Sequence, residues 1–84
     1  MNTRYILENA QGQRLTCVLA PGDVQTQWET VFAVRRGQGY GVDVTPTRVA
    51  VVDVFHADTV ASFRIVSATD TTDAVQLTLL PDEN

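Results

Sequence analysis

Few residues in this 84-residue chain could do chemistry, and they are scattered. The single cysteine, Cys17, lies between Leu15 and Leu19 on the apolar side of an alternating run. A nucleophilic thiol wants a histidine or a helix N-terminus beside it to lower its pKa. The only histidine, His56, stands 39 positions away, so spacing argues for no pairing, and Cys17 reads as a buried structural thiol. His56 is flanked by Asp53 and Asp58. A carboxylate could orient its imidazole for general-base work. Its place after an apolar run nevertheless reads as a polar turn. One histidine, one cysteine and dispersed acids give no metal-ligand spacing.

The run Gly37-Gln38-Gly39-Tyr40-Gly41 has G-x-G-x-G spacing. A dinucleotide fingerprint needs G-x-G-x-x-G opening a helix after a strand. Here the third glycine comes one residue early, and Val42-Asp43-Val44 reads as a strand. A phosphate-binding P-loop needs a lysine, and the chain has none. The run therefore reads as a hairpin tip whose Tyr40 can touch a partner. Arg35, Arg36, Gln38 and Tyr40 make up the one basic-aromatic cluster. Guanidinium planes and a ring can stack on bases. Adjacent strand residues point to opposite faces, however, which favours a solvated hairpin end or a protein contact over such a patch.

Charge marks a second candidate surface. Residues 1–48 hold five arginines and four acids; residues 49–84 hold Arg64 against six acids. Asp58, Asp70 and Asp73 are placed in turns, where they either face a basic partner or simply keep the molecule soluble and its sheet edges guarded. The net charge of −4 disfavours direct nucleic-acid binding. One cysteine excludes an internal disulfide and any cysteine-rich zinc site. No catalytic, cofactor-binding or metal-binding residue is assigned.

The elements that must position these residues are mostly strands. Val, Ile and Thr together make 26 of 84 residues, and branched side chains favour strands. Arg4–Glu8 and Arg14–Ala20 read as a hairpin across the loop Asn9–Gln13. Val24–Arg36 reads as a strand; the alternative is a helix capped by Asp23 and stopped by Gly37. Tyr40–Val44 follows the glycine-rich tip. Arg48–Phe55, the most apolar run, is predicted to be the central strand. Thr59–Ser67, a polar turn over Thr69–Asp73, and Ala74–Leu80 complete the set. The predicted core is Val49, Val51, Val52, Val54, Phe55, Phe63, Ile65, Val75, Leu77 and Leu79, with Trp28 and Phe32 packed on it.

Turn signals at short intervals predict a mainly β single domain spanning residues 1–84, a small antiparallel sandwich or barrel of about six or seven short strands. The alternative is α+β, an antiparallel sheet with one helix at 24–36. No apolar run approaches the ~18 residues of a membrane span, and the N-terminus lacks a signal-peptide pattern, so a cytoplasmic protein is expected. The functional expectation is a small acidic protein-binding module without catalytic activity, of the kind phages and other mobile elements use as inhibitors or immunity proteins acting on a larger complex. The rival is a structural or assembly subunit, such as a virion or tail component, joined through sheet edges. An enzyme or small-ligand carrier using Cys17, His56 or Asp53 ranks third. The sequence leaves the oligomeric state open.

Overall fold

The structure, a computed structural model, describes residues 1–35 and 37–82. Its elements are β1 (Asn2–Glu8), β2 (Arg14–Leu19), α1 (Val24–Val31), β3 (Tyr40–Val44), β4 (Arg48–Asp53), β5 (Asp58–Thr71) and β6 (Gln76–Pro81). The six strands form one antiparallel sheet in the order β3-β4-β5-β1-β2-β6. The protein is mainly β, with 54% of the described residues in strands and 10% in the helix, as its branched composition implies. The sheet stays open instead of closing into a sandwich or barrel, and one short helix covers part of one face.

That helix corrects the strand assigned to Val24–Arg36. Asp23 caps it: its carboxylate accepts from the Thr26 N–H at 3.1 Å and from the Thr26 hydroxyl at 2.7 Å. The Gln27 side-chain amide then bonds both backbone groups of Ala20, at 2.7 and 2.9 Å, tying the first turn to the end of β2. The helix also buries Trp28 almost completely. Branched residues cost a helix only a few tenths of a kcal/mol each, whereas a cap and a buried indole contribute about 1 and about 2–3 kcal/mol. The helix ends before Gly37: Phe32 closes it, and Ala33 follows at φ +54°.

The core lies between α1 and one sheet face. Leu7, Cys17, Leu19, Trp28, Val42 and Val49 are buried, and Tyr5, Phe32, Phe63, Ile65, Leu77 and Leu79 pack around them. Trp28 meets Tyr5 edge-on at 5.0 Å between ring centroids and stacks on Phe32 at 6.1 Å; Phe32 in turn meets Phe63 at 5.1 Å.

Five expected core residues lie outside it: Val54, Phe55 and Val75 are exposed, and Val51 and Val52 are only half-buried and do not pack against the cluster. The apolar run stops being a strand at Asp53, whose carboxylate accepts from the N–H groups of Phe55 and His56 and turns the chain. Val75 belongs to the turn before β6. Nor is β4 central; β5 and β1 hold the middle of the sheet. β5 is longer than expected, running through Thr69 and Asp70 to Thr71, with Asp70 opposite Thr3. Its length is accommodated by bulges at Val60 and Val66, where its pairing with β4 and β1 shifts by a residue.

Candidate functional site

The glycine-rich segment packs against the turn between β4 and β5. The Gly39 carbonyl accepts from the Val54 N–H at 2.8 Å, extending the β3–β4 ladder one step past Tyr40 and Asp53. A β-carbon built on Gly39 would fall 2.6 Å from Cδ2 of Phe55, and one built on Gly41 would fall 3.6 Å from Cγ2 of Val54. The spacing that resembled a nucleotide motif thus seats two apolar side chains of the neighbouring turn. Gly39 also stands at φ +84°, a conformation disfavoured for any other residue. Phe55 remains 79% exposed, Val54 61% and Tyr40 48%. All three residues lie at one end of the sheet, its tip: Val54 and Phe55 pack on the Cβ side of Gly39 and Gly41, and strand alternation turns Tyr40 toward the other face.

Asp53 organises the turn. One carboxylate oxygen accepts the two backbone N–H groups, and the other lies 2.8 Å from Nδ1 of His56. The His56 hydrogen bond holds the Asp53 carboxyl below the usual range, aided by the backbone donors and opposed by partial burial. The pairing fixes turn geometry. It does not bring Cys17 to the histidine, since Cys17 sits on β2 with β1 and β5 between it and β4. Burial pushes the Cys17 thiol up to about 12, as expected for a structural cysteine. Among the described residues no group of three or more His, Cys, Asp or Glu could hold a metal ion.

The other candidates separate by position. Gln38 is exposed at the tip, and its N–H donates to the carbonyl of Arg35 at 3.3 Å. Arg36 lies outside the described residues. Asp58 opens β5 directly opposite Asp53, which is itself opposite Tyr40, so Asp58 joins the tip. Asp70 and Asp73 belong to the far end of β5, so the acids do not make one surface. Asp73 is already engaged: it pairs with Arg4, which also donates to the Thr71 hydroxyl at 3.1 Å, while Asn2 donates to the Asp73 carbonyl at 2.8 Å. These bonds clamp the turn that follows β5.

Phe55 and Val54 were missed as site residues because they continue an apolar run. The available signal was Asp53 followed by a short His56-Ala57-Asp58 segment, a turn-starting aspartate at the end of a strand. No described helix is long and apolar enough to cross a membrane. Comparison with protein-family models, curated proteins and solved structures finds no match to this chain.

Proposed function

We propose that the chain is a protein-binding module without catalytic activity that docks through the end of the sheet where Val54, Phe55 and Tyr40 are exposed. The carrying observation is the seating of a largely exposed phenylalanine on Gly39. Exposed aromatics on a hydrogen-bonded turn offer contact area at low ordering cost, the kind of residue that dominates interface energetics. Asp53 and Asp58 beside the tip favour a partner with an apolar pocket rimmed by basic groups. Bound in that pocket, the tip would hold a larger protein as an inhibitor or immunity protein does.

The test is site-specific photo-crosslinking in cells that express the protein. A crosslinker at position 55 should trap one discrete heterologous adduct, and the same crosslinker at position 70 should not. The adduct's protein partner, purified, should bind the wild-type chain and lose affinity for a Tyr40→Ala/Phe55→Ala variant. Adducts at both positions or at neither overturn the tip as the interface. Adducts only between copies of this chain, with large particles in light scattering, would favour the assembly-subunit alternative.

A further inference from the structure

The sheet face turned away from α1 carries an arginine row that the tip does not use. Register and strand alternation place Arg14, Glu8, Arg64 and Arg48 side by side across β2, β1, β5 and β4. Two acids stand in that row: Asp82, whose N–H donates to the Arg14 carbonyl at 3.0 Å, and Glu8, which is shared, with Oε2 at 3.4 Å from Nε of Arg14 and Oε1 at 3.0 Å from an Arg64 nitrogen. Those two guanidinium groups hold the Glu8 carboxyl below its usual range, Arg64 contributing most. No carboxylate among the described residues pairs with Arg48.

Arg48 and Arg64 are also unusually close neighbours. The Ile65 N–H donates to the Thr47 carbonyl at 2.9 Å, so Thr47 and Ile65 form a hydrogen-bonded row. The next row, Arg48 opposite Arg64, is then the closely spaced kind, with β-carbons about 4.5–5.5 Å apart. Like charges directly opposite are unfavourable in such a row. Both arginines line one concavity with Thr45 and Thr47, and a second of about 250 Å³ with Glu8, Asn9, Ala10 and Ser62. Arg48 and Arg64, with only the shared Glu8 carboxylate beside them, keep a local positive excess in a chain whose net charge is −4.

We infer that Arg48 and Arg64 form a binding site for a phosphoryl group. Two neighbouring guanidinium groups match a phosphate dianion better than a single carboxylate. Guanidinium forks present paired N–H donors to its oxygens, and the Thr47 and Ser62 hydroxyls beside them add neutral donors. Glu8 competes with the ligand for Arg64 and sets an upper limit on affinity. The phosphoryl group can come from inorganic phosphate or from a small phosphomonoester.

The experiment is an amide-resolved NMR titration of the full chain at constant ionic strength, with chloride as the control anion. The probes are inorganic phosphate and O-phosphoserine, used at a pH where both are dianions, above the phosphoserine second pKa of about 6 and the higher one of inorganic phosphate. Saturable shifts confined to residues around Glu8, Thr47, Arg48 and Arg64 are expected, absent with chloride. Equal affinity for the two probes identifies phosphate itself as the ligand; preference for phosphoserine identifies a phosphomonoester. Arg48→Gln should weaken binding by about tenfold or more, the value of a charge-assisted hydrogen bond. Glu8→Gln should tighten it severalfold, which a purely structural role for Glu8 would not do. Arg4→Gln, on the same face but paired with Asp73, should leave it unchanged. A response that chloride reproduces, or one that Arg48→Gln leaves intact, overturns the site.

Discussion

The Phe55 ring occupies the space that a side chain at position 39 would need. Gly39 therefore does two things at once: it supplies a left-handed backbone conformation, and it leaves room for an aromatic group that faces mostly solvent.

Replacing Gly39 by Ala should act through both. The φ of +84° alone costs an L-residue about 1–2 kcal/mol. The added methyl also forces Phe55 off its seat. In a Phe55→Ala background only the backbone cost remains, so the Gly39→Ala penalty should shrink there. Urea unfolding of the four proteins of this cycle measures the coupling, and strictly additive effects would show that the two residues do not touch.

The core should respond in the opposite sense to the exposed turn. Trp28→Ala removes the indole that links Tyr5 and Phe32 and should cost about 3–5 kcal/mol, a large part of the stability of a domain this size. Phe55→Ala should stay within about 0.5 kcal/mol, as surface changes usually do. Thermal melts decide it. Equal losses for the two variants would return Phe55 to the core.

The two phenylalanines mark where sequence reasoning reached and where it stopped. Phe63 alternates with Ile65 in a run that stays extended, so its inward position was legible from period-two patterning. Phe55 continues an equally apolar alternation, but Asp53 captures the backbone N–H groups of Phe55 and His56 and ends the strand first. Side-chain-to-backbone bonding of that kind leaves hydropathy unchanged and is invisible to it. The helix was obscured for a similar reason. Its Asp23 cap could be read, yet the Gln27 bonds to Ala20 join residues of two elements and have no local signature. Partner choice across the sheet was harder still. Whether Asp73 faces a partner or Arg4 depends on β1 lying beside β5, a contact between residues 69 positions apart.

Burial of Cys17 sets a direction for alkaline stability. Its folded pKa, about 12, lies above its ordinary value of 9.0, so the folded state keeps the thiol protonated after the unfolded chain has begun to ionise. The stabilisation is complete below pH 9 and is lost progressively as pH rises toward 12, with a slope of at most about 1.4 kcal/mol per pH unit. Urea midpoints at pH 8 and pH 10 should fall more for wild type than for Cys17→Ala. Native protein should also resist a thiol reagent that labels the unfolded chain at once; matching rates would contradict burial.

Asp53 gives the reverse sign. Its carboxyl is held below the usual value, chiefly by the His56 hydrogen bond. Its contribution to turn stability is therefore present above the unfolded aspartate pKa and is lost as pH falls through the lower folded value. Carboxyl-carbon NMR should place its midpoint below the ordinary aspartate value of 3.8. His56→Ala should move the Asp53 midpoint upward. An unchanged Asp53 midpoint would mean that the two side chains are not bonded in solution.

Binding kinetics should separate the contributions of the tip and the acids. Tyr40 and Phe55 would be desolvated in a partner's pocket, and truncating such anchors acts mainly on dissociation. Tyr40→Ala/Phe55→Ala should raise the dissociation rate by roughly thirtyfold or more, the kinetic equivalent of about 2 kcal/mol, at any salt concentration. Asp58 is exposed beside the tip and acts at longer range. Asp58→Asn should mainly slow association at low salt, with the loss vanishing once the Debye length falls to about 3 Å near 1 M. Asp70→Asn/Asp73→Asn, at the far end of β5, should change neither rate by much. The decisive record is association and dissociation of the crosslinked partner, repurified, at two ionic strengths. If the far-end pair abolishes binding at high salt while the tip variant binds normally, the interface lies at the far end of the sheet and the tip is a folding feature alone.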